Sequence, residues 1–136
     1  MTAIPTSHAV AVAEFRAALR AFLRRTEKIA RQSGLTPQRY LLLLMVKGAA
    51  DGSEQSTVTD LAERLQLAQS TVTELVSRAE DAGLISRKPS PTDARVAYLR
   101  LTPEGERRLE LAFTALSAER THLSDAFSHL TADAIG

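Results

Sequence analysis

"TVTDLAERLQLAQSTVTELVSRAEDAGLISRKPSPTDARVAYLRLTPEG", Thr57 to Gly105, carries two short helical patterns, a glycine stop and an alternating stretch in direct succession. A helix is expected from about Thr57–Thr59, with Leu61, Ala62 and Leu65 on its apolar side. A turn at Gln66-Leu67 leads into a second helix, roughly Gln69 to Ala82, with Gly83 placed as its C′ residue. Small Ala62 lets two backbones approach, and Val72 and Leu75 fill the angle between them, which is the spacing of a helix-turn-helix. Glycine is the usual turn residue; here it is Gln66. Leu84 to Arg87 and Arg95 to Leu101 read as two strands, the second with Ala97, Leu99 and Leu101 on one face. The "KPSPTD" segment between them is too proline-rich for a strand interior and is expected to protrude as a loop. A helix-turn-helix followed at once by a hairpin is a winged helix, so the hairpin is the wing.

Outward from this lobe the chain is helical. From about Ala9 to Arg31, Val12, Phe15, Leu19, Phe22, Thr26 and Ile29 recur every three or four residues and draw one apolar stripe. Arg16, Arg20, Arg24 and Lys28 form a second, basic stripe whose plain reading is a solvated face. After Ser33-Gly34, Thr36 caps a helix with Pro37 at its first position, and Tyr40 to Val46 is apolar almost all round, as a buried centre would be. Thr102-Pro103-Glu104 repeats the cap and opens one last long helix striped by Leu109, Ala112, Phe113, Leu116 and Leu123. The fold class expected is mainly α with a small β-hairpin: a winged helix-turn-helix lobe over residues 35–102, an N-terminal dimerisation helix over 1–34 and a C-terminal one over 103–136. The stripes are wider than one buried helix needs, which points to a homodimer through Val12, Phe15, Leu19 and Phe22 with Leu109, Phe113, Leu116 and Leu123.

Composition excludes several functions. With 136 residues, 44% hydrophobic and 24% charged, the chain is a soluble globular domain of ordinary kind. The absence of cysteine removes disulfides, thiolate metal sites and thiol redox sensing. No signal-peptide pattern opens the chain and no apolar run is long enough to span a bilayer, so no membrane role and a cytoplasmic location are expected. His122 and His129 lie two helical turns apart, too far for one metal ion, and with His8 they read as surface or interface residues. No glycine-rich phosphate loop occurs, and Glu80-Asp81 reads as solvated charge. Neither an enzyme nor a cofactor is indicated. Net charge is only +1, but Leu84 to Thr102 holds four basic residues and one acidic, so the wing is basic.

The second helix of the pair presents Gln69, Ser70, Thr71, Thr73, Glu74, Ser77 and Arg78 outward. Short hydroxyl and amide side chains at a helix N-terminus reach phosphates and base edges, and the N–H groups there favour an anion. Gln69 suits adenine, and Arg78 suits a phosphate or guanine. Glu74 is discordant beside a phosphate backbone, and either reads cytosine or pairs with Arg78 at i+4. With Arg87, Lys88, Asp93 and Arg95 on the wing, the partner expected is double-stranded DNA. The alternative is a winged helix that binds only protein, for which a basic wing tip has no use.

The run from Leu35-Thr36-Pro37 through Gly105 resembles the MarR family of bacterial winged-helix transcription regulators, most specifically in Asp93-x-Arg95 followed by Leu99-x-Leu101-Thr102-x-x-Gly105. The resemblance implies a homodimer with intertwined terminal helices, a recognition helix in each major groove and a wing tip in the neighbouring minor groove. It places Asp93 and Arg95 as the wing pair and Ser70, Thr71, Thr73, Ser77 and Arg78 on the recognition helix. It also implies repression of a palindromic operator, relieved by a small aromatic or anionic effector. Arg16 or Arg20 with Tyr40 are the candidates for its cation and aromatic wall; core packing for Tyr40 and solvated charge for the arginines is the plainer reading. Two departures stand out. Glu74 and Ala68 occupy positions where the family often has a basic residue and a capping side chain. The family's final dimerisation helix is expected to be missing or very short before Gly136.

Overall fold

Helix-forming sequence frames the chain at both ends, and the mixed segment between them folds around the helix that opens at Pro37. The computed structural model describes residues 3–135, and their side chains as far as residue 130. The expected limits of the terminal segments at Met1 and Gly136 lie outside the described residues. The elements are α1 (Thr6–Gln32), α2 (Pro37–Lys47), α3 (Val58–Leu65), α4 (Gln69–Asp81), β1 (Ile85–Pro89), β2 (Ala97–Leu101), α5 (Pro103–Ala115) and α6 (Ser117–Ile135). They divide between two compact units, Ala30–Ala112 and Met1–Ile29 with Phe113–Gly136.

The first unit is the winged lobe. Thr36 caps α2 by accepting from the Arg39 N–H at 3.1 Å, with Pro37 in the first turn where it needs no donor. Tyr40, Leu42, Leu43 and Val46 are buried, each full burial of this kind contributing about 1.5–3 kcal/mol. Leu41 of the same helix is exposed. α2 packs against α3, α4 and β2. Lys47, at its end, bonds Glu106 of α5 at 3.0 Å and pairs with Glu54 of the following loop at 3.1 Å, and the two carboxylates raise its pKa.

Thr57 caps α3, its hydroxyl accepting from the Asp60 N–H, and Gln66 ends it in the left-handed region at φ 56°. That conformation costs a non-glycine residue roughly 1–2 kcal/mol. The Gln66 side-chain amide offsets part of it by donating to the Glu63 carbonyl at 2.7 Å. Ala62, Val72 and Leu75 are buried in the angle, as their spacing indicated. Gly83, at φ +75°, follows the Ala82 C-cap of α4.

The wing pairs β1 and β2 antiparallel, from Ile85↔Leu101 to Pro89↔Ala97. Two expectations are corrected here. Lys88 and Pro89 belong to β1, because β1 is an outer strand that tolerates a residue without an N–H. Arg95 and Val96 lie in the connecting loop, so β2 begins only at Ala97. On its inner side β2 meets Ser56, which exchanges both backbone hydrogen bonds with Leu99, at 3.1 and 2.8 Å. At the wing's root Thr102 donates its N–H to the Leu84 carbonyl at 3.0 Å, and its hydroxyl bonds the Gly83 carbonyl and the Gly105 N–H. Glu104, held by the guanidiniums of Arg107 and Arg108, has its carboxyl pKa pulled down to about 2. Arg108 also donates to the Gly34 carbonyl at 2.8 Å, tying α5 to the loop before α2.

In the second unit, the expected single C-terminal helix is two. α5 stops at Ala115 and the 19-residue α6 follows from Ser117. The break contains neither glycine nor proline. Arg120 makes it tolerable: its guanidinium donates at 2.6 Å to the Phe113 carbonyl, which also accepts from the Leu116 N–H at 3.3 Å, and lies over the Phe113 ring, 3.6 Å from the centroid. α1 and α6 run antiparallel, with Arg25 bonded to Glu119 at 3.2 Å and the rings of Phe15 and Phe127 6.0 Å apart. Ala11, Ala18 and Ala126 are buried here, small enough for the helices to approach.

Candidate nucleic-acid interface

α4 divides cleanly by its period. Val72, Leu75, Val76 and Ala79 face the core, while Gln69, Ser70, Thr71, Thr73, Glu74, Ser77 and Arg78 are all exposed. The N-terminus of α4 carries no side-chain cap, since Ala68 occupies that position, and no acidic residue lies in the first turn. Its first N–H groups are therefore available to an anion, with the helix dipole in the same sense. Three of these residues are engaged. Gln69 donates to Thr59 Oγ1 of α3 at 3.3 Å, across the turn. Glu74 and Arg78 form an i,i+4 ion pair, both well exposed, the second of the alternatives the sequence left open for Glu74.

The wing's basic residues have separate surroundings. Arg87 of β1 reaches back to Glu80 of α4, its Nε at 3.2 Å and its terminal nitrogen at 2.6 Å from one carboxylate oxygen. Glu80, expected to be solvated charge, instead fixes the wing's root to α4 and raises the Arg87 pKa. Lys88 is exposed. Arg95 projects from the loop, its side chain 91% exposed, and the Asp93 carboxylate bonds both its backbone N–H at 3.0 Å and its Nε at 3.4 Å. The pairing is a turn, closed by the Val96 N–H donating to the Asp93 carbonyl at 3.0 Å, rather than two residues on one face of a strand.

Sequence reasoning missed Ser90. It is buried, its hydroxyl accepts from the N–H groups of Thr92 and Asp93 at 3.3 Å each, and its own N–H bonds the Val96 carbonyl at 2.9 Å. A serine between two prolines, three residues before an aspartate, was the available signal.

The effector and dimer candidates fall elsewhere. Tyr40 is buried in the winged lobe, whereas Arg16 and Arg20 are exposed on α1 of the other unit, beside Leu19, Leu23 and Arg24. Leu109 and Leu116 are buried. Phe15, Leu19, Phe22 and Leu123 are half-buried, while Val12 and Phe113 are exposed, joined by Val10 and Phe127. Among the described residues no group of histidine and carboxylate side chains is arranged to hold a metal ion, and no helix is long and apolar enough to cross a membrane.

The chain is similar to known proteins. The MarR family model matches residues 33–96. YsmB of Bacillus subtilis (strain 168), an uncharacterized HTH-type transcriptional regulator, is 28% identical over 136 residues, covering 99% of this chain and 88% of YsmB. MdtR of the same organism, an HTH-type transcriptional repressor, is 35% identical over 79 residues, 58% of this chain and 48% of MdtR, so the matched stretch spans about half of that relative. The crystal structure of a mutant MarR from E. coli, complexed with operator DNA, superposes with a TM-score of 0.66 at 20% identity, covering 87% of this chain and 80% of that one.

Proposed function

The chain belongs to the MarR family of winged-helix proteins, and from that premise we propose that it is a transcriptional repressor that binds a palindromic DNA operator as a homodimer. One observation carries the reading: an exposed hydroxyl- and amide-rich face on α4, with an uncapped N-terminus, on the same lobe as a wing whose Arg95 is almost wholly exposed. The α4 face supplies the base contacts through Gln69, Ser70, Thr71, Thr73, Ser77 and Arg78, and the wing supplies Arg95 and Lys88 to the phosphates and minor groove. Arg87, already committed to Glu80, serves mainly to hold the wing. Support for the dimer comes from the exposed Val10, Val12, Phe113 and Phe127, apolar side chains of a size that seek a partner. MdtR, a repressor, supports the direction of regulation. The protein acts in the cytoplasm, needs no cofactor and performs no catalytic step. Arg16 and Arg20 are the cations offered to a small aromatic or anionic effector; Tyr40 packs the core.

The test is selection of duplexes from random sequence, followed by titration at several salt concentrations and sedimentation of the complex. The expected result is a near-palindrome with half-site centres about 10 bp apart, two chains per site and an affinity that falls steeply with salt. Enrichment of no sequence, or an affinity indifferent to salt, removes the reading and leaves a protein-binding winged helix.

Glu74 gives a second expected result. Its carboxylate holds Arg78 and repels phosphates, so Glu74→Gln frees a cation at the groove. Affinity for non-cognate duplex should rise about 2- to 5-fold, the scale of one exposed ion pair, with a steeper salt slope. Anisotropy titrations against a scrambled duplex measure it, and unchanged non-specific binding contradicts the role.

A further inference from the structure

We propose that Ser90 is the positioning residue of the wing, the buried anchor through which Asp93 and Arg95 are aimed before DNA arrives; this rests on the DNA-binding reading above. Arg95 is 91% exposed, and among the described residues its side chain is held by the Asp93 carboxylate, which also bonds its backbone N–H. The direction of the guanidinium is therefore decided by where Asp93 stands. Asp93 stands where Ser90 puts it. The Ser90 hydroxyl, 9% exposed as a residue, accepts from the Asp93 and Thr92 N–H groups at 3.3 Å and lies 3.2 Å from the Thr92 hydroxyl. The Ser90 N–H closes the base of the loop on the Val96 carbonyl at 2.9 Å. Pro89 and Pro91 on either side have no N–H and a fixed φ, so the serine is the one residue of that tripeptide able to donate from its backbone. A buried hydroxyl thus holds the Asp93 main-chain N–H, and the half-exposed Asp93 carboxylate holds an exposed cation.

Arginine pays for immobilisation when it enters a groove, because its side chain has many rotamers to lose. A loop that narrows those rotamers beforehand reduces that loss, which is what preorganisation contributes to affinity. Removing the hydroxyl leaves two loop N–H groups without their acceptor, and Asp93 is then free to turn away from Arg95.

The experiment is a double-mutant cycle on one selected operator, using Ser90→Ala, Arg95→Ala and the pair, with thermal unfolding followed for each. Ser90→Ala should weaken operator binding by about 3- to 10-fold, the usual worth of a lost hydrogen bond. In the Arg95→Ala background it should cost nothing more, because the group it positions has gone. Ser90→Thr keeps the hydroxyl and should bind within about twofold of the parent by the same reasoning. A second readout needs no DNA: the order of the Arg95 Nε–H vector, from nitrogen relaxation, should fall in Ser90→Ala as far as in Asp93→Ala. Equal losses in both Arg95 backgrounds overturn the proposal, as does a Ser90→Thr protein as weak as Ser90→Ala. An Arg95 vector unmoved by Ser90→Ala also overturns it. If the parent selects no operator while the Arg95 vector responds as expected, the DNA reading fails and the positioning of Arg95 by Ser90 stands.

Discussion

Gly105→Ala is expected to destabilise the winged lobe by about 1–3 kcal/mol, although alanine is the better helix former by about 1 kcal/mol. A Cβ on Gly105 would fall well inside the van der Waals surface of the Leu84 carbonyl oxygen, and within 3.1 Å of the Leu84 carbonyl carbon. Neither side yields easily. The Leu84 N–H bonds the Ala79 carbonyl at 2.9 Å, its carbonyl accepts from Thr102 at 3.0 Å, and the Gly105 N–H is held by the Thr102 hydroxyl at 3.0 Å. Making room therefore means pulling α5 off the segment that joins α4 to the wing. Thermal unfolding should show a midpoint lower by several degrees. A midpoint equal to the parent's would mean that the close approach of α5 is not maintained in solution.

Arg95→Ala is expected to weaken operator binding by on the order of 1–3 kcal/mol, the worth of one good groove contact, while leaving the unfolding midpoint where it was. The two halves of that expectation come from one fact: a side chain 91% exposed has almost nothing to lose in the folded lobe and everything to offer a ligand. A guanidinium suits the narrow, strongly negative minor groove of A·T-rich DNA. The turn itself survives the change, since the Arg95 backbone N–H, not its side chain, bonds Asp93 at 3.0 Å. Titration against a selected operator, with unfolding followed in parallel, decides the matter. Parental affinity would make the wing a structural element only.

The parts of this fold legible in the sequence are those in which one residue's type matches one local geometry. Ala62, Val72 and Leu75 announced the helix-turn-helix because small and branched apolar residues at that spacing suit few other arrangements. Thr36-Pro37 and Thr57 announced helix starts, and the exposed face of α4 followed from its period. What stayed hidden depends on residues distant in the chain or on backbone bonds. The break at Leu116 has no punctuating residue and rests on Arg120 reaching the Phe113 carbonyl. Glu80 looked solvated because Arg87 meets it only after the chain has turned the corner at Gly83. Gln66 reaches the left-handed region without glycine's freedom, by using its own amide. Ser90 escaped notice because its bonds go to main-chain N–H groups, so only its place between two prolines pointed to it.

The outer side of β1 bears on how the protein behaves when many copies crowd together. A two-stranded wing presents an unpaired row of backbone donors and acceptors, a template on which a foreign strand could add and begin an aggregate. Ser56 occupies the inner flank beside Leu99. On the outer flank the strand itself discourages addition: Lys88 places positive charge on it, and Pro89 withholds a donor at its end. Two such wings repel rather than zip together, and the charge that serves a nucleic-acid backbone also keeps concentrated protein in solution.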